Sequence, residues 1–280
     1  MRVEERCAAC LYDRQRNLTE DREYLAEVAQ IIADRGEEDT APYLVSLFGQ
    51  AYERRFGKKP SYRPVKRRYN DLVLSMEEAV RARIASAPDP LAAALACARV
   101  GNYIDFGAMD SVDEGTFLAL VDEAELRGED LRTYRSFLAR CTGAERFLLI
   151  ADNCGEIVLD KLFLQRLQKT FPQLELTVMV RGAETLNDAT EEDARYVQLH
   201  RIARIITNGS AIAGTVYDTL PEEARNSFDR ADVILAKGQG NYESLCGQGR
   251  NVFYSFLCKC ELFTSRFQVP KLTGIFREEG

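Results

Sequence analysis

The sequence predicts an α/β fold: a three-layer α/β/α core around a mainly parallel, Rossmann-like sheet, with an all-helical subdomain ahead of it. Three observations carry this. Apolar residues recur at helical spacing through residues 1–143. After Gly143 that rhythm gives way to five short apolar runs rich in Val, Ile and Leu. Helical segments separate most of those runs, which is the pattern of parallel strands covered on both faces. The chain therefore divides into a helical subdomain, 1–143, and an α/β core, 144–280.

The elements follow in order. Leu11, Leu18, Leu25, Val28, Ile31 and Ile32 form one helical stripe. Glu38 to Phe56 is a second helix with Pro42 near its first turn. Tyr69 to Ile84, Leu91 to Val100, Asp113 to Ala124 and Leu131 to Leu138 follow, with a break at Pro88-Asp89-Pro90. The predicted strands are Phe147 to Ala151, Leu174 to Val180, Arg204 to Thr207, Val233 to Ala236 and Asn251 to Leu257. Helices at Glu156 to Thr170 and Glu222 to Phe228 lie between them.

Composition removes whole classes of function. The net charge of -7 and pI of about 5.1 argue against a nucleic-acid partner, whose binding needs cations. One basic stretch, Arg54, Arg55, Lys58, Lys59, Arg63, Lys66, Arg67 and Arg68, reads as a solvated surface. No apolar run reaches the ~18 residues of a membrane helix, and no secretory leader opens the sequence, so a cytoplasmic protein without a membrane partner is expected. The single histidine, His200, excludes chemistry that needs two.

In open parallel sheets ligands bind beyond the carboxyl ends of the strands. Those ends carry a consistent set here. Asp152, Asn153, Cys154, Gly155 and Glu156 follow the first strand; Arg181, Gly182, Asn187 and Asp188 the second; Asn208, Gly209 and Ser210 the third; Lys237 and Gly238 the fourth. Asp152, Asn153 and Asp188 are oxygen donors suited to a hard divalent cation. Gly155 at a helix start, with Asn208, Gly209 and Ser210, suits backbone contact with a phosphate. Lys237 supplies a cation to a phosphoryl group. Asn102 and Asp105, three residues apart after the alanine-rich helix, are candidates to roof the crevice. Taken singly, each of these groups is also an ordinary turn, cap or surface residue.

Eight cysteines in such a chain read as thiols. Cys7 and Cys10 form a C-x-x-C, and Cys258 and Cys260 a C-x-C, which together have the makings of a four-sulfur zinc site or a redox pair. Packed, inert thiols are the other reading.

The ordered set Cys7-Ala8-Ala9-Cys10-Leu11, Gly101 to Gly107, Asp152-Asn153-Cys154-Gly155-Glu156, Asn187-Asp188-Ala189-Thr190, Asn208-Gly209-Ser210 and Lys237-Gly238-Gln239-Gly240-Asn241-Tyr242-Glu243 resembles the damage-control phosphatase family. This is the domain of unknown function 89, acidic-residue methyltransferase-like; the likeness is to the compact microbial branch with an N-terminal C-x-x-C, over nearly the whole chain. The resemblance implies a helical subdomain packed on an α/β/α core and phosphatase activity on small phosphorylated metabolites, including sugar phosphates. It implies Asp152, Asn153 and Asp188 as ligands of a divalent metal (Mn²⁺, Mg²⁺, Co²⁺ or Ni²⁺), Lys237 on phosphate, and Ser210 in a phosphate loop.

Asp152 is either the nucleophile or a ligand beside an activated water. Glu156 and Asp105 are candidate general acids. No Gly-x-Gly-x-x-Gly follows a strand, so no methyl-donor fingerprint is present. The alternatives are a non-catalytic protein that binds a phosphorylated metabolite and metal in the same crevice, or an interaction protein structured by zinc.

Overall fold

The computed structural model describes residues 1–105 and 113–279. Seven helices come first: α1 (Glu5–Leu18), α2 (Arg22–Ala33), α3 (Ala41–Phe56), α4 (Arg63–Ser86), α5 (Pro90–Gly101), α6 (Glu114–Asp122) and α7 (Glu129–Thr142). Strands and helices then alternate: β1 (Arg146–Ile150), α8 (Glu156–Thr170), β2 (Glu175–Val180), α9 (Glu191–Tyr196), β3 (Arg204–Thr207), α10 (Glu222–Arg230), β4 (Val233–Lys237), α11 (Gly238–Leu245), β5 (Val252–Leu257), α12 (Glu261–Phe267) and β6 (Gly274–Glu279).

The sheet order is β3-β2-β1-β4-β5-β6. The first five strands are parallel and β6 runs antiparallel along β5. This is the doubly wound order, and its direction reverses between β1 and β4.

Side-chain alternation builds the two faces. Phe147 and Leu149 of β1 join Val178, Leu235 and Phe253 in a core under α4, α5, α7 and α8. Leu148 and Ile150 point the other way, with Met179, Ile234 and Tyr254, onto α10, α11 and α12. A third apolar cluster, around Tyr24, Leu44 and Phe48, unites α1, α2 and α3.

The chain changes character between α7 and β1, but the core does not divide there. One continuous apolar cluster runs from Tyr69 and Leu95 to Phe253 and Phe276. Helices α4 to α7 are thus a covering layer of the sheet, and only α1 to α3 keep a core of their own. Two elements differ from the sequence reading. The first stripe is two helices, because the Asp21 side chain accepts the Tyr24 amide (2.8 Å) and starts α2 afresh. Strand β6 went unpredicted, since Gly-Ile-Phe-Arg-Glu-Glu lies at the sheet edge and buries little beyond Phe276.

Among the described residues six of the eight cations in the basic stretch are ion-paired: Arg54 with Glu27, Arg55 with Asp21, Arg63 with Glu192, Lys66 with Asp193, Arg67 with Asp71 and Arg68 with Glu114. Among the described residues no helix is long and apolar enough to cross a membrane.

Candidate active site at the β1/β4 switch point

Asp152 stands just beyond β1. Segment 187–190, after β2, doubles back against it. The Ala189 amide donates to the Asp152 carbonyl (2.7 Å), the Cys154 amide to the Asn187 carbonyl (2.8 Å), and Asn153 and Asp188 form an antiparallel bridge. Backbone pairing thus sets Asp188 beside Asp152 and Asn153.

The roof comes from the end of α5. A Cβ on Gly101 would stand 2.9 Å from the Glu156 Cα, so the glycine lets α5 lie directly on α8. Asn102 is thereby lowered onto the site. Its Nδ2 donates to Asp152 Oδ2 (2.8 Å) and Glu156 Oε2 (3.3 Å), and its Oδ1 accepts the Leu257 amide (3.2 Å). Asn187 Nδ2 donates to the Ile104 carbonyl (2.8 Å) and ties the roof to the β2 side. Phe106 and Gly107, which close that sequence motif, lie outside the described residues.

Across the switch point, Gly238 closes in from β4. Its φ is +79°, and a side chain there would overlap the Asp152 carboxylate. Asn153 Nδ2 donates to Asp152 Oδ2 (2.7 Å), and Arg181 Nη2 donates to Oδ1 (3.3 Å). Both Asp152 oxygens are therefore held.

Several residues play other parts than the sequence suggests. Lys237 does not face the crevice: its ammonium, wholly buried, donates to the Ala98 carbonyl (2.9 Å), Glu156 Oε1 (2.7 Å) and Asp160 Oδ1 (2.7 Å). Three donors meet three acceptors, so no proton is left for a phosphate. Glu156 is equally committed, accepting on its second oxygen from the Asn153 amide (3.2 Å) and side chain (3.3 Å). That makes it a buttress in place of an exposed acid. The Gly155 amide donates to Asn70 Oδ1 (2.7 Å), so it is not an open anion donor. Asn208 clips loops together, accepting the Gly182 amide (2.8 Å) and donating to the Gly214 carbonyl (3.1 Å). Gly209 and Ser210 pack on Gly182 in the same clip, where the Ser210 carbonyl accepts the Gly182 amide (3.0 Å).

Two cations were missed as site residues. Arg181 lies between Asp152 and Asp188, donating from Nε to Asp188 Oδ2 at 2.6 Å. Lys259, in the C-x-C after β5, is buried and donates to Asp105 Oδ2 (2.6 Å), its one side-chain partner among the described residues. Its position past a strand end was the signal available; the flanking cysteines drew the reading to sulfur.

Burial dominates the electrostatics. It pushes Asp152 well above the usual carboxylate range, helped by Asp188, Glu156 and Asp105 and opposed by Arg181. Burial likewise raises Asp188 to about 6, against the pull of Arg181. Asp160 is raised to about 7 because burial outweighs a lysine that it shares with Glu156.

The donor set fits a divalent cation by its charge. In the described ion pairs the carboxyl groups of Asp105, Asp152, Glu156, Asp160 and Asp188 outnumber their cationic partners Arg181, Lys237 and Lys259. Asp152, Asn153 and Asp188 offer hard oxygens. Among the described residues no three His, Cys, Asp or Glu side chains converge at metal-site spacing; the ready-made part is two carboxylates with an amide.

The expected four-sulfur zinc site is not formed: among the described residues Cys7, Cys10, Cys258 and Cys260 make no group that could hold a metal, and all four are free thiols. Cys7 is raised to about 12 by burial and by the charges of Glu243, Cys10 and Cys260. Cys258 is raised to about 12 by burial and Cys260. Both are therefore protonated at neutral pH, the inert rather than the reactive form.

Charged residues from four strand ends thus gather at the reversal point of an open α/β sheet. The chain belongs to the damage-control phosphatase ARMT1-like domain family, whose model matches residues 3–273. It is 28% identical to an uncharacterized protein of Methanocaldococcus jannaschii, over 93% of this chain and 90% of that one. It is also 28% identical to a damage-control phosphatase of Archaeoglobus fulgidus, over 93% of each. The crystal structure of a DUF89 family protein from Pyrococcus horikoshii superposes with a TM-score of 0.80 over 99% of both chains, at 23% identity, and shares the fold.

Proposed function

We propose that this protein is a divalent-metal-dependent phosphomonoesterase acting on small phosphorylated metabolites, either sugar phosphates or damaged phospho-metabolites. Membership in a damage-control phosphatase family supports the reaction class. The observation that carries the site is the buried Asp152–Asp188 pair, two carboxyl groups that share one guanidinium, at the β1/β4 switch point.

Asp152, Asn153 and Asp188 would hold the cation (Mn²⁺, Mg²⁺, Co²⁺ or Ni²⁺). When bound it would polarise a phosphoryl oxygen and offset charge that builds there. The chain's own residues supply the rest. Asn102 and Asn153 orient Asp152 by donating to one oxygen. With both oxygens engaged, Asp152 fits the role of ligand better than that of nucleophile. Lys237 bridges Glu156 and Asp160 behind the site and keeps α8 packed. Lys259, whose one side-chain acceptor among the described residues is Asp105, would turn a further proton toward a phosphate.

The test is phosphate release from p-nitrophenyl phosphate and a panel of sugar phosphates, with and without each divalent metal, for wild type and Asp152→Ala. Metal-dependent turnover that vanishes in the variant is expected. Turnover with no metal, or undiminished in the variant, would overturn the assignment.

A further inference from the structure

Arg181 is 1% exposed and uses its whole fork. Nε takes Asp188 Oδ2 (2.6 Å) and Nη2 takes Asp152 Oδ1 (3.3 Å). Nη1 reaches the Gly214 carbonyl (3.1 Å), Asn241 Oδ1 (3.1 Å) and Thr215 Oγ1 (3.5 Å). Asn241 is itself anchored, donating to the carbonyls of Ala151 (3.1 Å) and Lys237 (2.7 Å). The guanidinium therefore joins the ends of β1, β2 and β4 around one charge that cannot be given up.

We propose that Arg181 is the resident counter-ion of the carboxylate pair: it holds Asp152 and Asp188 together when no divalent cation is bound, and it weakens the binding of that cation. The inference rests on the metal reading above. A guanidinium and a divalent cation draw on the same two carboxylates. Each screens the other's attraction, so their contributions oppose. Arg181 is a positioning residue in this scheme. It keeps two carboxylates from repelling one another in the empty site, and it holds affinity low enough for the metal to exchange.

The full-length chain is titrated with Mn²⁺ by calorimetry, and its thermal unfolding is followed in EDTA and in saturating Mn²⁺. Arg181→Met is expected to bind Mn²⁺ about tenfold tighter. It is expected to lose more Tm in EDTA than in Mn²⁺, so that the metal-induced rise exceeds that of wild type. Arg181→Lys keeps the charge without the fork and is expected to bind Mn²⁺ within about twofold of wild type, which keeps the proposal testable if the Met variant fails to fold. Equal Tm loss in both buffers, or weaker binding in Arg181→Met, overturns the proposal, as does a large affinity change in Arg181→Lys. No Mn²⁺ binding by wild type overturns the metal reading and the proposal together; binding by wild type with no coupling to Arg181 overturns the proposal alone.

Discussion

Two buried charge layers lie one behind the other at the switch point, and each has two carboxylates sharing one cation. In the front layer Arg181 bridges Asp152 and Asp188, which come from different loops. In the rear layer Lys237 bridges Glu156 and Asp160, one turn apart on α8. The planar fork of arginine suits acceptors on separate segments, and the compact ammonium suits two on a single helix face. In the front layer Arg181 lines a surface pocket with Lys66, Asn70 and Thr190; the rear layer is sealed between α5, α8 and β4. On the proposed function, the same charge arrangement would serve chemistry in one place and packing in the other, with position relative to the strand ends deciding which.

The largest expected effect separates the layers by activity. Asp188→Asn, in the front, should cut metal-dependent phosphate release about a thousandfold while the unfolding midpoint barely moves. A fall in stability with turnover intact would reverse the roles. Next, Lys237→Met should cost about 3–5 kcal/mol in denaturant unfolding, because two carboxylates are left buried without their cation. Normal stability with a raised phosphate inhibition constant would return Lys237 to the phosphate site.

Lys259→Ala should raise the inhibition constant for inorganic phosphate about tenfold, the worth of one charge-assisted hydrogen bond. An unchanged constant would leave the crevice without that cation. The smallest effect is a slope. Folded Asp160 keeps its proton to about pH 7, while the unfolded chain loses it near the usual carboxylate value. Between those limits the folded state binds more protons, so this group makes wild type less stable as pH rises. Asp160→Asn removes that contribution. Its stability should improve relative to wild type from about pH 4 to about pH 7, read from paired denaturant titrations. Parallel curves would mean that Asp160 is ionised throughout.

Much of this was legible in the chain. Helical and alternating apolar spacing located the change of architecture between α7 and β1, because burial on one face or both writes its period into the sequence. The strand ends pointed to Asp152, Asn153 and Asp188, and the turn after α5 to Asn102; these four do lie together. Strand β6 was illegible because an edge strand needs little apolar alternation. The sharing of one core between α4 to α7 and the sheet was also illegible, because a helical stripe does not say which element it packs against.

By itself the sequence determined the sheet, its covering helices and the chemical types at the strand ends, since those follow from local periodicity and from where apolar runs stop. Only the tertiary structure decided what each charge does. Lys237 ends one parallel strand and Lys259 follows another, yet one is saturated by Glu156, Asp160 and Ala98 while the other has Asp105 as its one side-chain acceptor among the described residues. Arg181 looked like one more polar residue after a strand until folding set it between two carboxylates 29 residues and 7 residues away along the chain. Partners so placed leave no trace in local pattern, because a buried charge is defined by which distant groups the packing brings within a few ångströms of it.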